Sequence, residues 1–171
     1  MNNNEENQYD NKDSYDILQG WHEKAKEQKQ DTYASFVLEY LSFIFYLKKI
    51  KKLPGEDATA VIELKNDKKL REEYLKLIKE DKELQNTWQE LIKKLEEKPL
   101  KIYIHGNKGL KIKSIEDWEN MLDFWRIIRN HLFHAEKYLE NRDVMLVSCA
   151  YKTLSPLIEE IILKNKDLNL M

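Results

Sequence analysis

Apolar residues in this chain recur mostly every three or four positions, the spacing that places them on one face of an α-helix. The runs end at residues that favour helix boundaries, such as Asp31 before the second run and Pro54-Gly55 after it. The pattern predicts helices at about residues 14–28, 32–52, 67–97 (two helices), 114–132 and 142–164. We therefore predict an all-α fold.

The helix predicted at 32–52 differs from the others because apolar residues occupy more than one of its faces, among them Phe36, Val37, Leu41 and Ile44. An amphipathic helix of a soluble protein normally keeps one face polar. We therefore expect this helix either to lie at the centre of the fold or to face a partner chain as well.

Three segments depart from the helical pattern. Residues 1–12 are rich in Asn and acidic residues, and we predict a disordered tail there. Alternating apolar and polar residues on both sides of a glycine-containing turn predict a short β-hairpin at 100–112. The wider segment 54–113 is more charged and less apolar than its surroundings, so we interpret it as an insertion within a single helical domain that spans 13–171.

Composition excludes several classes of protein. Four glycines and three prolines in 171 residues are too few for the turns of an all-β fold, and the glycine spacing matches no phosphate-binding loop. A formal net charge of −2 means that any nucleic-acid binding must come from a local patch. A single cysteine, Cys149, excludes an internal disulfide and a cysteine-based zinc site, and His131 and His134 lack nearby further ligands, so we expect neither a metal ion nor a cofactor. The N-terminus is unlike a signal peptide and the longest apolar stretch is too short to span a bilayer, so we expect a cytoplasmic protein without a membrane partner.

One dense group of titratable and polar side chains lies near the end of the helix predicted at 114–132, namely Arg126, Arg129, Asn130, His131 and His134. Cleavage of an RNA phosphodiester without metal requires a base for the 2′-hydroxyl, an acid for the departing 5′-oxygen and a cation for the phosphorane oxygens. Histidine transfers protons near neutral pH, and the arginine fork binds phosphate oxygens through paired hydrogen bonds. The group therefore contains the residue types that such cleavage needs.

The run Arg129-Asn130-His131-Leu132-Phe133-His134 resembles the Arg-x(4–6)-His motif of HEPN domains, which are small helical domains of RNA-cleaving toxins, abortive-infection proteins and CRISPR-associated ribonucleases. The resemblance extends to Arg142-Asp143, which opens the last predicted helix, and to the aromatic-rich helix around 36–46. It implies an up-down helical bundle of HEPN type.

The resemblance also implies roles for the residues. His134 is the general acid and base, Arg129 stabilises the phosphorane, and Asn130 orients the phosphate. Arg126 falls on one helical stripe with Asn130 and His134, and we predict Arg126 and His131 as auxiliary RNA contacts. These two also form a second register with the same spacing, but an apolar residue follows the arginine there, so we prefer Arg129 and His134.

Helical geometry places a constraint on this motif. Positions five apart on a straight helix point about 140° away from each other, so Arg129 and His134 do not converge on one phosphate. Either the helix ends near His131, or two protomers place their motifs face to face, as HEPN dimers do. Glu39 is the least expected charge in the apolar helix, and it either pairs with a motif arginine or faces solvent.

These observations lead to hypotheses from different classes. The first is a homodimeric, metal-independent endoribonuclease of HEPN type that leaves 2′,3′-cyclic phosphate and 5′-hydroxyl ends. The resemblance implies a role as toxin or phage-defence effector, with an antitoxin or regulatory protein as a further partner. The alternative is a non-catalytic HEPN-like module that binds RNA or a protein partner. A third hypothesis is a plain helical interaction protein whose motif is accidental.

Overall fold

The computed structural model describes residues 3–101, 109–133 and 141–166, and the chain is mostly helical within these ranges. The α-helices are α1 (Asn3–Glu27), α2 (Thr32–Phe45), α3 (Asp57–Leu64), α4 (Lys68–Glu80), α5 (Lys82–Glu97), α6 (Trp118–Phe133) and α7 (Asn141–Pro156). Two of them, α2 and α7, continue into short π-helical stretches at Tyr46–Ile50 and Leu157–Leu163. The all-α prediction is confirmed.

The helix starts follow from capping chemistry. The carboxylates of Asp31, Asp67 and Asp81 precede α2, α4 and α5, and each accepts a hydrogen bond from a backbone N–H of the first turn, at 2.9–3.0 Å. The structure adds α3, which is too short for its periodicity to be recognised. It also begins α1 at Asn3, inside the segment for which we predict a disordered tail.

The spacing of Ser114 and Asp117 matches a capping box and predicts that Ser114 caps the helix at 114–132, but the structure differs. Oγ of Ser114 accepts from the N–H of Glu116 at 3.2 Å, and the Asp117 carboxylate accepts from the N–H of Lys113 at 2.8 Å. These bonds close a separate turn, and the helix itself begins only at Trp118. The capping pattern therefore marks the turn before the helix.

The predicted hairpin lies largely outside the described residues, since 102–108 is not among them. At its base, Leu100 and Leu110 form an antiparallel bridge with N–H···O distances of 3.1 and 2.7 Å. A Cβ at Gly109 would lie 2.6 Å from Cβ of Pro99, so glycine permits the close approach of the two segments beside the bridge.

A single aromatic core joins the segment 54–113 to the rest of the chain. The ring of Trp125 in α6 lies 5.8 Å from Phe43, 5.8 Å from Tyr74 and 6.0 Å from Trp88, measured between centroids. The Tyr74 hydroxyl donates to the Thr153 carbonyl at 2.6 Å and accepts from Nε1 of Trp88 at 2.9 Å. The segment that we interpret as an insertion thus shares the core of α2, α6 and α7.

Helix α2 turns its polar residues inward. Glu39 is 0% exposed, and Ser35 and Ser42 are also buried. The Nδ1–H of His22 in α1 donates to the Glu39 carboxylate, with distances of 2.8 and 3.0 Å to its two oxygens. Both alternatives predicted for Glu39 are therefore wrong, because it neither pairs with a motif arginine nor faces solvent. The opposite ring nitrogen, Nε2, lies 3.9 Å from the carboxylate of Glu159.

We expect His22→Ala to lower the free energy of unfolding by about 3–5 kcal/mol, because it leaves the Glu39 carboxylate buried without its donor. The double variant His22→Phe/Glu39→Leu removes both polar groups and should recover most of that loss. Urea denaturation measures both, with the exposed Lys79→Ala variant as a control that should change little. A double variant as unstable as His22→Ala would contradict this account.

Replacing Tyr74 by Phe removes the hydroxyl that links α4 to α5 and α7. It leaves Nε1 of Trp88 and the carbonyl of Thr153 buried without this partner, so we expect a loss of about 1–3 kcal/mol in the free energy of unfolding. Thr87→Ala removes an exposed hydroxyl from α5 and should change stability by about 0.5 kcal/mol or less. If Tyr74→Phe and Thr87→Ala lowered the free energy of unfolding equally, the stability of segment 54–113 would not depend on the hydrogen bonds of the Tyr74 hydroxyl.

Candidate functional site

The last turns of α6 present its polar side chains on the side next to α2. Trp125 and Ile128 are buried in the core, and this packing sets the rotation of the helix. Arg126, Arg129 and Asn130 therefore lie within an arc of about 100° on the outer side of α6. The structure brings these three predicted residues together.

Arg129 contacts an amide oxygen and an aromatic ring. Its Nη1 donates to Oδ1 of Asn130 at 3.1 Å, and its guanidinium carbon lies 4.7 Å from the ring centroid of Phe133. Both contacts orient the guanidinium, and neither neutralises its charge. The charge of Arg129 is thus available to an anion.

Arg126 shares its carboxylate partner with a second cation. Its Nη2 lies 3.5 Å from Oδ1 of Asp123, and Oδ2 of Asp123 accepts from Nζ of Lys65 in α3 at 2.7 Å. The Arg126 side chain is 21% exposed, and its buried Nε has no hydrogen-bond partner. Since one carboxylate serves two cations here, the cluster of Arg126, Arg129 and Lys65 carries an excess of positive charge.

Tyr40 of α2 is buried within electrostatic range of these arginines. Burial raises the pKa of its hydroxyl far above the ordinary value, the charges of Arg129 and Arg126 lower it, and the Asp57 carboxylate raises it. The hydroxyl therefore remains protonated near neutral pH. Helices α2 and α6 are in contact through Phe43 and Trp125, whose ring centroids lie 5.8 Å apart.

His131 lies on a different side of α6, about 140° around the helix from Arg126. Its Nε2 lies 2.9 Å from the carbonyl oxygen of Lys101 and donates to it. Burial lowers the pKa of His131, while the Lys101 carbonyl and the Asp143 carboxylate raise it. From sequence we group His131 with Arg126 and Arg129, whereas in the structure His131 lies on another side of α6.

His134, the predicted general acid and base, lies outside the described residues, as does His105. Helix α6 extends to Phe133, two residues beyond His131 and the last residue described before the gap at 134–140. Both alternatives, a helix that ends near His131 and two protomers with facing motifs, therefore stay predictions. A convergent Arg129–His134 pair within one chain would require the backbone to leave the helical path at His134 itself.

Sequence reasoning missed three contributors to this site. Asp123 has a local signal, because it precedes Arg126 by three residues on the same helix. Lys65 and Tyr40 have none, since they come from helices far away in the sequence. Their position follows only from how α2 and α3 pack on α6.

Within the described ranges, no group of three or more His, Cys, Asp or Glu side chains could hold a metal ion. No helix in that part of the chain is both long and apolar enough to cross a membrane. Comparisons with family models, with curated proteins and with solved structures gave no match. The inference of function therefore rests on the residues and geometry of this chain.

We expect the imidazole of His131 to titrate below the unfolded-state value of about 6.5 in an NMR titration, because burial disfavours its cation. The unfolded chain then binds more protons between the two pKa values, so this group lowers stability as the pH falls through that window. His131→Gln keeps an N–H donor for the Lys101 carbonyl and should reduce this pH dependence. A midpoint at or above the unfolded value would contradict the prediction.

Proposed function

We propose that this protein is a metal-independent endoribonuclease of HEPN type. The observation that carries the proposal is the positive cluster of Arg126 and Arg129 at the end of α6, directly before the motif histidine His134 in the sequence. A local excess of arginine in a chain of net charge −2 suits a site that binds one phosphate of an RNA backbone.

The contacts support a role for each described residue. Arg129 is oriented by Asn130 and Phe133 and would stabilise the phosphorane oxygens in the transition state. Asn130 uses its amide oxygen to accept from Arg129, which leaves its amide N–H groups to donate to a phosphate oxygen. Arg126, whose side chain is 21% exposed, would bind a neighbouring phosphate oxygen through its guanidinium group.

The acid–base step is assigned to His134. The 2′-hydroxyl oxygen attacks phosphorus as the His134 imidazole takes its proton, and the imidazolium so formed gives a proton to the 5′-oxygen as its bond to phosphorus breaks. The products are a 2′,3′-cyclic phosphate and a 5′-hydroxyl. Because positions five apart on a straight helix point about 140° away from each other, we place the phosphate between Arg129 of one protomer and His134 of the partner subunit. A role in growth arrest or phage defence, controlled by an antitoxin or regulator, is part of the proposal.

The alternative is a non-catalytic module that binds RNA through the same cluster. It is favoured by the composition of the described part of the site, in which the arginines and Asn130 supply cations and donors but no acid–base pair. Binding needs only these groups, whereas cleavage also depends on His134.

Incubation of a mixed RNA pool in EDTA tests the proposal. We expect cleavage by the unmodified protein, cyclic-phosphate ends, and no cleavage of a substrate with 2′-deoxy linkages. Removing the histidine in His134→Ala should lower the rate by about 10²–10⁴-fold, because general acid–base catalysis contributes that much. Arg129→Ala should also lower the rate strongly, whereas Arg71→Ala, which removes an exposed arginine from α4, should not.

The result separates the two functions. Intact RNA together with binding that Arg126→Ala and Arg129→Ala weaken would support the non-catalytic module. Intact RNA without binding would contradict both. Cleavage that survives His134→Ala would overturn the role of that histidine.

A further inference from the structure

The outer face of α2 is apolar and only partly covered by the rest of the chain, with Ile44 and Phe45 packed in part against the core. The polar residues Ser35, Glu39 and Ser42 point inward, and Leu41 on the opposite side is 43% exposed. The remaining outer positions are half-buried and also apolar, namely Ala34, Val37, Leu38, Ile44 and Phe45. A helix with its charge inside and its leucines outside is arranged for an apolar neighbour rather than for water.

A single stripe along this face has a regular spacing. The stripe consists of Asp31, Ala34, Leu38, Leu41, Phe45 and Lys48. The distance between successive members alternates between three and four residues, which is the spacing of the residues at the seam of a coiled coil. An acidic residue thus begins the stripe and a basic residue ends it. The stripe is symmetric in sequence about the point between Glu39 and Tyr40.

This symmetry makes the stripe complementary to itself in the antiparallel direction. A second copy related by a two-fold axis would place the small Ala34 against the partner subunit's large Phe45. It would also place the carboxylate of Asp31 near the ammonium of the partner subunit's Lys48. Antiparallel helices also oppose their dipoles favourably.

The charges at both ends of the stripe are held in position. The Asp31 carboxylate accepts from the N–H of Ala34 at 3.0 Å as the cap of α2. The Lys48 ammonium donates to the carbonyl oxygens of Leu53 and Gly55. These contacts contain no opposite charge for Lys48, so a carboxylate of the second copy would supply one. In a parallel pair of helices the like charges would meet instead.

We propose that α2 is the interface for a second copy of this chain, packed antiparallel along the stripe from Asp31 to Lys48. The inference extends the proposed function, since the dimer would complete its site. Helix α2 contacts α6, which carries Arg126 and Arg129, through the rings of Phe43 and Trp125 at 5.8 Å, so an interface on α2 lies near the helix of the arginine cluster. It would bring the partner subunit's motif towards Arg129.

Sedimentation velocity across the micromolar range tests the interface without RNA. We expect a dimer for the unmodified chain and an increase of about a hundredfold or more in the dissociation constant for Leu41→Glu, because the variant buries an unpaired charge. Ile62→Glu on α3 is the matched control, since Ile62 is 53% exposed but lies outside the stripe. Circular dichroism checks that each variant is folded.

Disulfide trapping tests the direction of packing in a Cys149→Ser background. We expect Ala34→Cys and Phe45→Cys chains to cross-link with each other when mixed, but not with themselves. Identical positions would be about 16 Å apart along antiparallel helices, beyond the reach of a disulfide. Self-cross-linking of Ala34→Cys without the mixed product would indicate parallel packing and overturn the proposal.

The outcomes are separate from those for RNA cleavage. A monomer at every concentration, or a dimer that Leu41→Glu leaves as tight as Ile62→Glu does, would overturn the α2 interface whether or not RNA is cut. A dimer formed through α2 that leaves RNA intact would support the interface and contradict only the ribonuclease proposal.

Discussion

The hydrogen-bonded pair of His22 and Glu39 sets the rotation of α2, and much of the structure depends on that rotation. A carboxylate that is 0% exposed needs a donor, and the imidazole of α1 supplies it at 2.8 Å. With Glu39 turned towards α1, Phe43 points at Trp125 of α6 and Leu41 points outward. One polar contact thus determines both the face that α2 gives to the core and the face that it leaves exposed.

The arginine cluster depends on this arrangement through the aromatic core. Because Trp125 packs against α2, α4 and α5, Arg126 and Asn130 lie about 100° and 140° further around α6, where they are only partly buried. Its single carboxylate partner, among the described residues, is shared with Lys65 of α3. An overall acidic chain therefore contains a local cationic site that neither its net charge nor its composition indicates.

The sequence was sufficient where the signal is local. Periodicity predicted the long helices, and capping carboxylates such as Asp31 located their starts, because both depend on residues a few positions apart. The arginines and Asn130 were identified by their spacing on one helix. The partner of Glu39 could not be predicted, because His22 lies on another helix and no local pattern relates the two. The same holds for Tyr40 and Lys65, whose proximity to the arginines is a property of packing.

A requirement for a second chain would connect the arginine cluster to the outer face of α2. On a straight helix, a residue five positions after Arg129 would point about 140° away from it, so a phosphate shared with His134 needs either a turn of the backbone or a second chain. The apolar stripe of α2 is only partly covered by the described chain, and its Leu41 is 43% exposed. The proposed two-fold contact would bury Leu38 and Leu41 and would place a second α6 near the first. These two features have separate physical causes, and the proposed second copy would account for both.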